Sequence, residues 1–185
     1  NPNSASSGSV PTDSTSYQQG ATVPVLYNTG NLARTGYSFT GWNTAANASG
    51  TTQGTGSTFT MGSANVTLYA QWVAVYTVTY NPNSASSGSV PTDSTSYQQG
   101  ATVTVLGAGT LSRSGYTFAG WNTSADGSGT TYTTGNTFTM GSANVTLYAV
   151  WAANTYTVTY NNPASGSSGS APTDSTPYQQ GATVT

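Results

Sequence analysis

The feature that most constrains this chain is a long internal repeat. Residues 1–23 are identical to residues 81–103, position for position, and both begin with the tract NPNSASSGSVPTDSTSYQQG. Later markers recur 79 residues apart, because Gly41-Trp42 matches Gly120-Trp121 and Trp72 matches Trp151. A fixed internal period predicts that each repeat is one structural unit and that successive units form an array. The fold must therefore be one that fewer than 80 residues can form.

The repeat boundaries follow from a short segment of alternating residues. Tyr76–Tyr80, with the sequence YTVTY, precedes the second copy and recurs as Tyr156–Tyr160, but no equivalent precedes Asn1. We therefore predict three units: 1–72 lacking its first strand, a complete unit at 75–151, and a partial unit at 155–185. Either this segment is a window on a longer array, or the ends of neighbouring molecules complete each other. The first interpretation is simpler, because a strand donated from residues 156–160 would bring a second copy of the following tract with it.

Composition and charge exclude several classes of function. The 185 residues include two Arg, four Asp and no Lys or His, so the net charge is −2. Binding to nucleic acid needs a basic surface that neutralises phosphates, and two Arg cannot supply one. No run approaches the roughly 18 apolar residues of a membrane-spanning helix, so no membrane insertion is expected in this segment. Aliphatic side chains are few, and the 13 Tyr indicate a core built largely from aromatic rings.

Alternating residues predict most of the secondary structure of the complete unit. In Tyr76–Tyr80, Tyr and Val alternate with Thr, which is typical of a half-buried strand. Residues 81–96 contain Pro, Gly, Ser, Asn and Asp and are predicted to form a loop. A second strand is expected at Ala101–Leu106, a third at Tyr116–Trp121 and a last one at Val145–Trp151.

One segment has a helical character. Leu111–Gly115 is predicted to form a short turn of helix, and residues 122–135 a surface loop. The fold class is therefore mainly β, bordering on α+β, with four to five strands and at most one short helix in each repeat.

Two signatures in each copy resemble a known family. GYTFAGWNT at 115–123 and VTLYAVW at 145–151 follow the opening YTVTY, and the first copy carries the same signatures at 36–44 and 66–72. This pattern resembles the Listeria-Bacteroides repeat, also called the internalin B-repeat. The resemblance implies a β-grasp-like fold, repeated in tandem on bacterial surface proteins and without known catalysis. The chain lacks the charged residues expected at many family positions, so a charge-dependent partner does not carry over.

Candidate catalytic and metal-binding residues are limited to Asp. Asp13, Asp93 and Asp174 occupy equivalent places in PTDST, which is one residue away from the Asp-Ser/Thr-Gly of aspartic proteases, but turns that bind their own backbone explain them better. Asp126 lies in a Gly-rich loop, yet one carboxylate cannot supply a calcium site. We therefore predict no catalytic residue, no metal, no cofactor and no enzymatic activity.

The Trp and Arg residues are the remaining candidates for a site. Trp72 and Trp151 end an apolar strand face and are predicted to lie in the core. Four residues are candidate ligand or assembly contacts: Trp42, Trp121, Arg34 and Arg113. For the two Arg a local role, on a ring or against carbonyl groups, competes with that interpretation. Four Asn head Asn-X-Ser/Thr sequons and are candidate glycosylation sites: Asn47, Asn65, Asn122 and Asn144.

These observations favour an extracellular structural protein, secreted or on a bacterial cell surface, that forms a stalk or filament. Its expected partners are neighbouring repeats or identical chains, because near-identical copies can form equivalent contacts. An alternative is an adhesive module that binds glycans or a host receptor through exposed aromatic and amide side chains. A functional amyloid is a third hypothesis, and eight Pro argue against it.

Overall fold

The structure is a computed structural model that describes residues 1–161 and 169–184. Within these residues the chain contains fourteen short strands and no helix. In the first part they are β1 Thr22–Pro24, β2 Tyr37–Asn43, β3 Thr52–Gln53, β4 Thr58–Thr60, β5 Tyr69–Tyr76, β6 Val78–Asn81 and β7 Tyr97–Gln98. They continue with β8 Thr102–Thr104, β9 Tyr116–Asn122, β10 Thr131–Tyr132, β11 Thr137–Thr139, β12 Val145–Ala153, β13 Thr155–Tyr156 and β14 Tyr178–Gln179. The predicted mainly-β fold of tandem repeats is confirmed.

Two compact units are present, and each includes segments that are distant in sequence. Unit 1 consists of Asn1–Tyr76, Ser96–Ala101 and Met140–Ser142. Unit 2 consists of Thr77–Thr95, Thr102–Thr139 and Ala143–Thr185. Unit 1 therefore takes part of its structure from the second sequence repeat.

Unit 1 is built on a four-stranded sheet with the order β3-β2-β5-β7, in which every pair is antiparallel. A separate antiparallel pair joins β1 and β4. The core contains the buried residues Val25, Leu32, Trp42 and Ala70, with partly buried Phe, Leu and Trp side chains packed against them. Aromatic rings contribute much of this core, as the composition predicts.

Unit 2 has a sheet of order β10-β9-β12-β6 with an antiparallel centre and one parallel edge. Strand β6 runs parallel to β12, with Val78 opposite Val145 and Tyr80 opposite Leu147. The antiparallel pairs β8–β11 and β13–β14 complete the described part of the unit. The first and last strands of the complete repeat therefore lie side by side.

A β-bulge in β9 explains the Gly-Trp signature. The register between β9 and β12 shifts so that Phe118 pairs with Trp151 and Gly120 with Val150, which leaves one extra residue in β9. Gly120 has φ 142°, and a Cβ atom there would lie 2.6 Å from the backbone oxygen of Tyr132. Glycine is therefore required. Strand β2 has the same shift, next to Gly41.

The helical turn predicted at Leu111–Gly115 is wrong. Ser112 forms an antiparallel bridge with Ser87, and Arg113 forms one with Tyr116. The segment pairs with the loop tract of its own unit through its backbone, and Gly115 has φ 76°, outside the helical region. The other predicted strands correspond to β6, β8, β9 and β12, whereas the predicted loop at 122–135 contains the short strand β10.

Candidate functional site

The two Arg residues each lie on a neighbouring ring. The guanidinium carbon of Arg34 is 3.8 Å from the ring centroid of Tyr37, and that of Arg113 is 3.9 Å from the centroid of Tyr116. Both contacts join the two sides of a tight turn, because Arg and Tyr also form a backbone bridge. This geometry gives both Arg the local role that the sequence left open beside ligand binding.

The two Trp residues proposed as contacts are buried. Trp42 is 3% exposed and Trp121 is 0% exposed. The ring nitrogen of Trp42 donates to the backbone oxygen of Leu26, and that of Trp121 donates to Leu106, each at 2.9 Å. Stacking on a sugar requires an exposed ring face, so the burial of both rings disfavours the adhesive interpretation.

The bulge explains why alternation alone misplaced the Trp residues. It turns Trp121 to the same face as Phe118, and the two ring centroids are 5.1 Å apart. Trp72 and Trp151, predicted to lie in the core, are only partly buried. Their ring nitrogens donate to the backbone oxygens of Asn3 and Asn83, at 2.9 and 3.0 Å. These two rings therefore hold the Asn-rich tract against the sheet edge.

The Asp residues of the PTDST tracts stabilise turns. Asp13 accepts hydrogen bonds from the backbone nitrogen of Thr15 and from the hydroxyl of Tyr17, each at 2.9 Å. Asp174 accepts the equivalent backbone bond from Thr176. The backbone donor, followed by the hydroxyl donors, lowers the pKa of Asp13. A lowered pKa beside neutral donors is what a turn-forming carboxylate is expected to have.

Asp126 has a similar local role. Its carboxylate accepts hydrogen bonds from the hydroxyl and the backbone nitrogen of Ser128, at 2.7 and 3.0 Å, and these bonds lower its pKa. In residues 1–161 and 169–184, no cluster of three potential metal ligands occurs.

Two buried Asn residues organise the loops, and sequence reasoning did not identify this role. Asn43 and Asn122 are 0% and 1% exposed. The side-chain nitrogen of Asn122 donates to Gly127, Gly129 and Thr131, and its side-chain oxygen accepts from the backbone of Ser124 and Gly129. The signal was the recurrence of Trp-Asn at the start of each Gly-rich loop. Because the Asn122 amide is enclosed, this sequon is closed to glycosylation in the folded unit.

The most distinctive surface feature is a groove in unit 1. It has a volume of about 410 Å³ and is lined by Leu26, Trp42 and the segment 65–68, with the tract 10–17 contributing further residues. We refer to this cavity as the edge groove. It lies beside residues 65–68, which come just before β5, and Val66 in this segment is 39% exposed.

Unit 2 shows what the equivalent space contains. There the residues matching 65–68 are 144–147, and they are covered by β6. The ring centroid of Tyr80 is 4.7 Å from that of Trp121, and the backbone nitrogen of Leu106 donates to the Tyr80 hydroxyl at 2.9 Å. Val78 and Tyr80 are 3% and 4% exposed. The side chains of β6 therefore fill in unit 2 the space that forms the edge groove in unit 1.

The groups that bind the backbone of β6 are also repeated in unit 1. In unit 2, Thr77 donates its backbone N–H to the side-chain oxygen of Asn144 at 3.0 Å, and Val145 donates to the backbone oxygen of Thr77 at 2.9 Å. The equivalents are Asn65 and Val66, and neither forms such a bond within the described part of the chain. The edge groove therefore presents, at Asn65 and Val66, the same residue types that bind the backbone of β6 in unit 2.

The described residues contain no helix long and apolar enough to cross a membrane. Repeated small sheets and aromatic cores define a mainly-β tandem-repeat protein. The chain belongs to the Listeria-Bacteroides repeat family, because the family's domain model matches residues 3–71 and 76–150. The resemblance inferred from the Gly-Tyr and Leu-Tyr-Ala signatures is confirmed.

Two relatives come from Evansella cellulosilytica. One, provisionally named a Gly-rich membrane protein, is 44% identical over 160 residues, which is 84% of this chain and 18% of the relative. The other, provisionally named a membrane protein, is 51% identical over 94 residues, which is 50% of this chain and 14% of the relative. The chain thus spans less than a fifth of each of these relatives. No solved structure matches the chain significantly.

Proposed function

We propose that this chain is a structural repeat segment of an extracellular protein and that it forms a stalk or filament on a bacterial cell surface. Membership of a repeat family found in surface proteins supports this placement, as do two relatives provisionally named membrane proteins. The proposal assigns the chain no catalytic role and no cofactor, because it contains no His, Cys, Glu or Lys.

The observation that carries the proposal is one strand pairing that recurs in both units. In unit 1 the end of β5 pairs with β7, so that Tyr76 lies opposite Tyr97. In unit 2, β13 pairs with β14, so that Tyr156 lies opposite Tyr178. In both units, the strand residues that lead from one sequence repeat into the next pair with the Tyr-Gln segment of the repeat that follows. These residues are Val75 and Tyr76 in unit 1, and Thr155 and Tyr156 in unit 2. Repetition of this pairing along an array would tie each repeat to the next through backbone hydrogen bonds.

The surface chemistry of the chain suits this role. A net charge of −2 over 185 residues produces little self-repulsion between neighbouring copies. Many exposed Ser, Thr, Asn and Gln side chains keep the surface hydrated. The adhesive alternative needs exposed aromatic faces, and the burial of Trp42 and Trp121 makes it the weaker hypothesis.

Negative-stain electron microscopy of the purified chain over a range of concentrations tests the proposal. We expect elongated particles with a regular repeat, which join into filaments if copies also associate end to end. Featureless globules or amorphous aggregates at every concentration would contradict a structural array. Quenching of Trp fluorescence by acrylamide tests the alternative, since strong quenching of Trp42 and Trp121 would restore the adhesive hypothesis.

A further inference from the structure

We propose that two facing Tyr pairs, Tyr76 with Tyr97 and Tyr156 with Tyr178, are sites of oxidative cross-linking, at which the two rings become joined by a carbon–carbon bond. The oxidant is hydrogen peroxide acting through a haem peroxidase. This inference deepens the proposed function and rests on it, because a covalent bond where one sequence repeat leads into the next would strengthen a stalk or filament. The chain has no Cys and no Lys, so disulfides and lysine amide bonds cannot serve this purpose.

The two rings of each pair start from directly opposite backbone positions. Tyr76 lies opposite Tyr97 in the antiparallel pair β5–β7, and Tyr156 lies opposite Tyr178 in the antiparallel pair β13–β14. Opposite residues of antiparallel strands place their side chains on the same face, with Cβ atoms about 4.5–5.5 Å apart. Rotation of the side chains is therefore enough to bring ring carbons of the two phenols together.

Tyr faces Tyr in both pairs although the connecting segments differ in length. The segment of sequence between the two Tyr residues is one residue longer in the second pair than in the first. A slip of one residue would instead place Tyr156 opposite Gln179 and turn one ring to the other face. The match of Tyr with Tyr is therefore a property of the strand pairing and does not depend on one fixed segment length.

A small oxidant can reach all four rings, because none of them is fully buried. Tyr76, Tyr97 and Tyr178 are half-buried, and Tyr156 is exposed. Tyr27 is more exposed than any of the four, at 63%, and has no Tyr opposite it in a strand pair. If exposure alone selected the reactive phenols, Tyr27 would be preferred, whereas the facing geometry favours the two pairs.

A carboxylate beside one ring of the second pair can accept its phenol proton. The Tyr178 hydroxyl donates to Asp174 at 2.8 Å, and this hydrogen bond raises the pKa of Tyr178, so the phenol carries its proton before oxidation. Loss of an electron makes a phenol strongly acidic, and a hydrogen-bonded base can then take the proton. Tyr178 is therefore the ring of its pair that we expect to be oxidised more readily. In the first pair, Asp93 precedes Tyr97 at the same spacing in the sequence.

The coupling step balances in atoms and electrons. Each phenol loses one electron and one proton and becomes a phenoxyl radical. The two radicals join through ring carbons that neighbour the hydroxyl-bearing carbons, and the hydrogens on the joined carbons then move to the phenolic oxygens. One peroxide molecule accepts the two electrons and two protons and becomes two water molecules. The cross-linked chain is therefore lighter by two hydrogens for each bond formed.

Peptide mapping after oxidation tests the proposal directly. The dilute chain is treated with a haem peroxidase and hydrogen peroxide, and the monomer is isolated and cleaved before each Asp. This cleavage separates the two Tyr residues of each pair, because Asp93 lies between the first two in sequence and Asp174 between the second two. It produces the fragments 1–12, 13–92, 93–125, 126–173 and 174–185.

We expect two linked products. Fragment 13–92 should stay joined to 93–125, and fragment 126–173 should stay joined to 174–185. Each product should show dityrosine fluorescence and a mass two hydrogens below that of its two fragments together. Fragmentation of each product in the mass spectrometer then identifies the linked residues.

Matched variants show whether strand pairing selects the rings. Tyr76→Phe should abolish the first link and leave the second unchanged, whereas Tyr27→Phe removes a more exposed ring and should change neither. The exchange Tyr97→Gln/Gln98→Tyr keeps the composition but moves the ring to the other face, so the yield of the first link should fall about tenfold. Tyr160→Phe should leave the second link unchanged, although Tyr160 lies near enough to Tyr178 to influence its pKa.

A first link that survives Tyr76→Phe, or that forms equally well after the exchange of Tyr97 and Gln98, would overturn the proposal. So would links found only between chains, a second link made through Tyr160, or no link at all while the same mixture couples free tyrosine. If the links are absent but elongated particles are still seen by microscopy, the proposed structural function stands and only the cross-linking is wrong. If the links form as expected and the particles are globular, the cross-linking is supported and the stalk or filament function fails.

Discussion

Replacing one Leu in each unit measures the consequence of the uncovered edge. Leu147 is 0% exposed beneath β6, whereas its equivalent Leu68 borders the edge groove and is only partly buried. Leu147→Ala should cost about 3–4 kcal/mol of the free energy of unfolding of unit 2, since a fully buried Leu loses its transfer energy and leaves a cavity. Leu68→Ala should cost about 1–2 kcal/mol in unit 1, because water already reaches that side chain.

Hydrogen exchange followed by mass spectrometry provides the assay, because peptides from β2 and β9 report the unfolding of units 1 and 2 separately. A Leu68→Ala cost equal to or larger than that of Leu147→Ala would refute the reasoning.

Three further predictions concern the local contacts. Asn122→Ala should destabilise unit 2 by about 3 kcal/mol, measured by the same exchange experiment, because it leaves several buried loop groups without partners. Arg113→Ala should cost only about 0.5–1 kcal/mol by the loss of its contact with Tyr116, and Arg113→Lys should restore part of it. For Asp13, NMR titration of the carboxyl carbon should give a pKa below the ordinary value, because the Thr15 backbone donor favours the ionised form. Its turn is therefore stabilised above the unfolded pKa and loses that contribution as the pH falls through the folded pKa; an unshifted midpoint would contradict this.

Strands were the part of the fold that the sequence predicted best. Alternating Tyr, Val and Thr identified β6, and the apolar alternation at 145–151 identified β12. Both segments have a period of two because one face of each strand is buried. Leu111–Gly115 was mispredicted because local propensity favoured a helical turn, whereas pairing of Ser112 with Ser87 in the folded unit determines its conformation.

The positions of the Trp side chains could not be obtained from alternation. The bulge beside Gly120 adds one residue to β9 and reverses the face that Trp121 presents. A bulge of this kind is signalled only by a Gly inside a strand pattern, which is present at Gly41 and Gly120 but is not specific. As a result, two rings proposed as contacts are buried, and two predicted to lie in the core are only partly buried.

Predicting the edge groove from the sequence would have required knowing which strands are neighbours in the sheet. The sequence revealed that the first copy lacks a segment equivalent to Tyr76–Tyr80, but it did not reveal that this segment lies parallel to the last strand of its repeat. Once β6 is placed beside β12, the position of the edge groove in unit 1 follows by equivalence. Parallel pairing of the first and last strands is a long-range property that no local pattern encodes.

Hydrogen exchange tests most directly the central claim that this chain is made of equivalent structural repeats. Two proteins are compared: the chain itself and the variant with YTVTY fused ahead of Asn1. If the first strand of each repeat lies beside its last strand, as β6 lies beside β12, the fused segment will slow exchange in the peptide that contains residues 65–68. Equal exchange of that peptide in the two proteins would contradict the account.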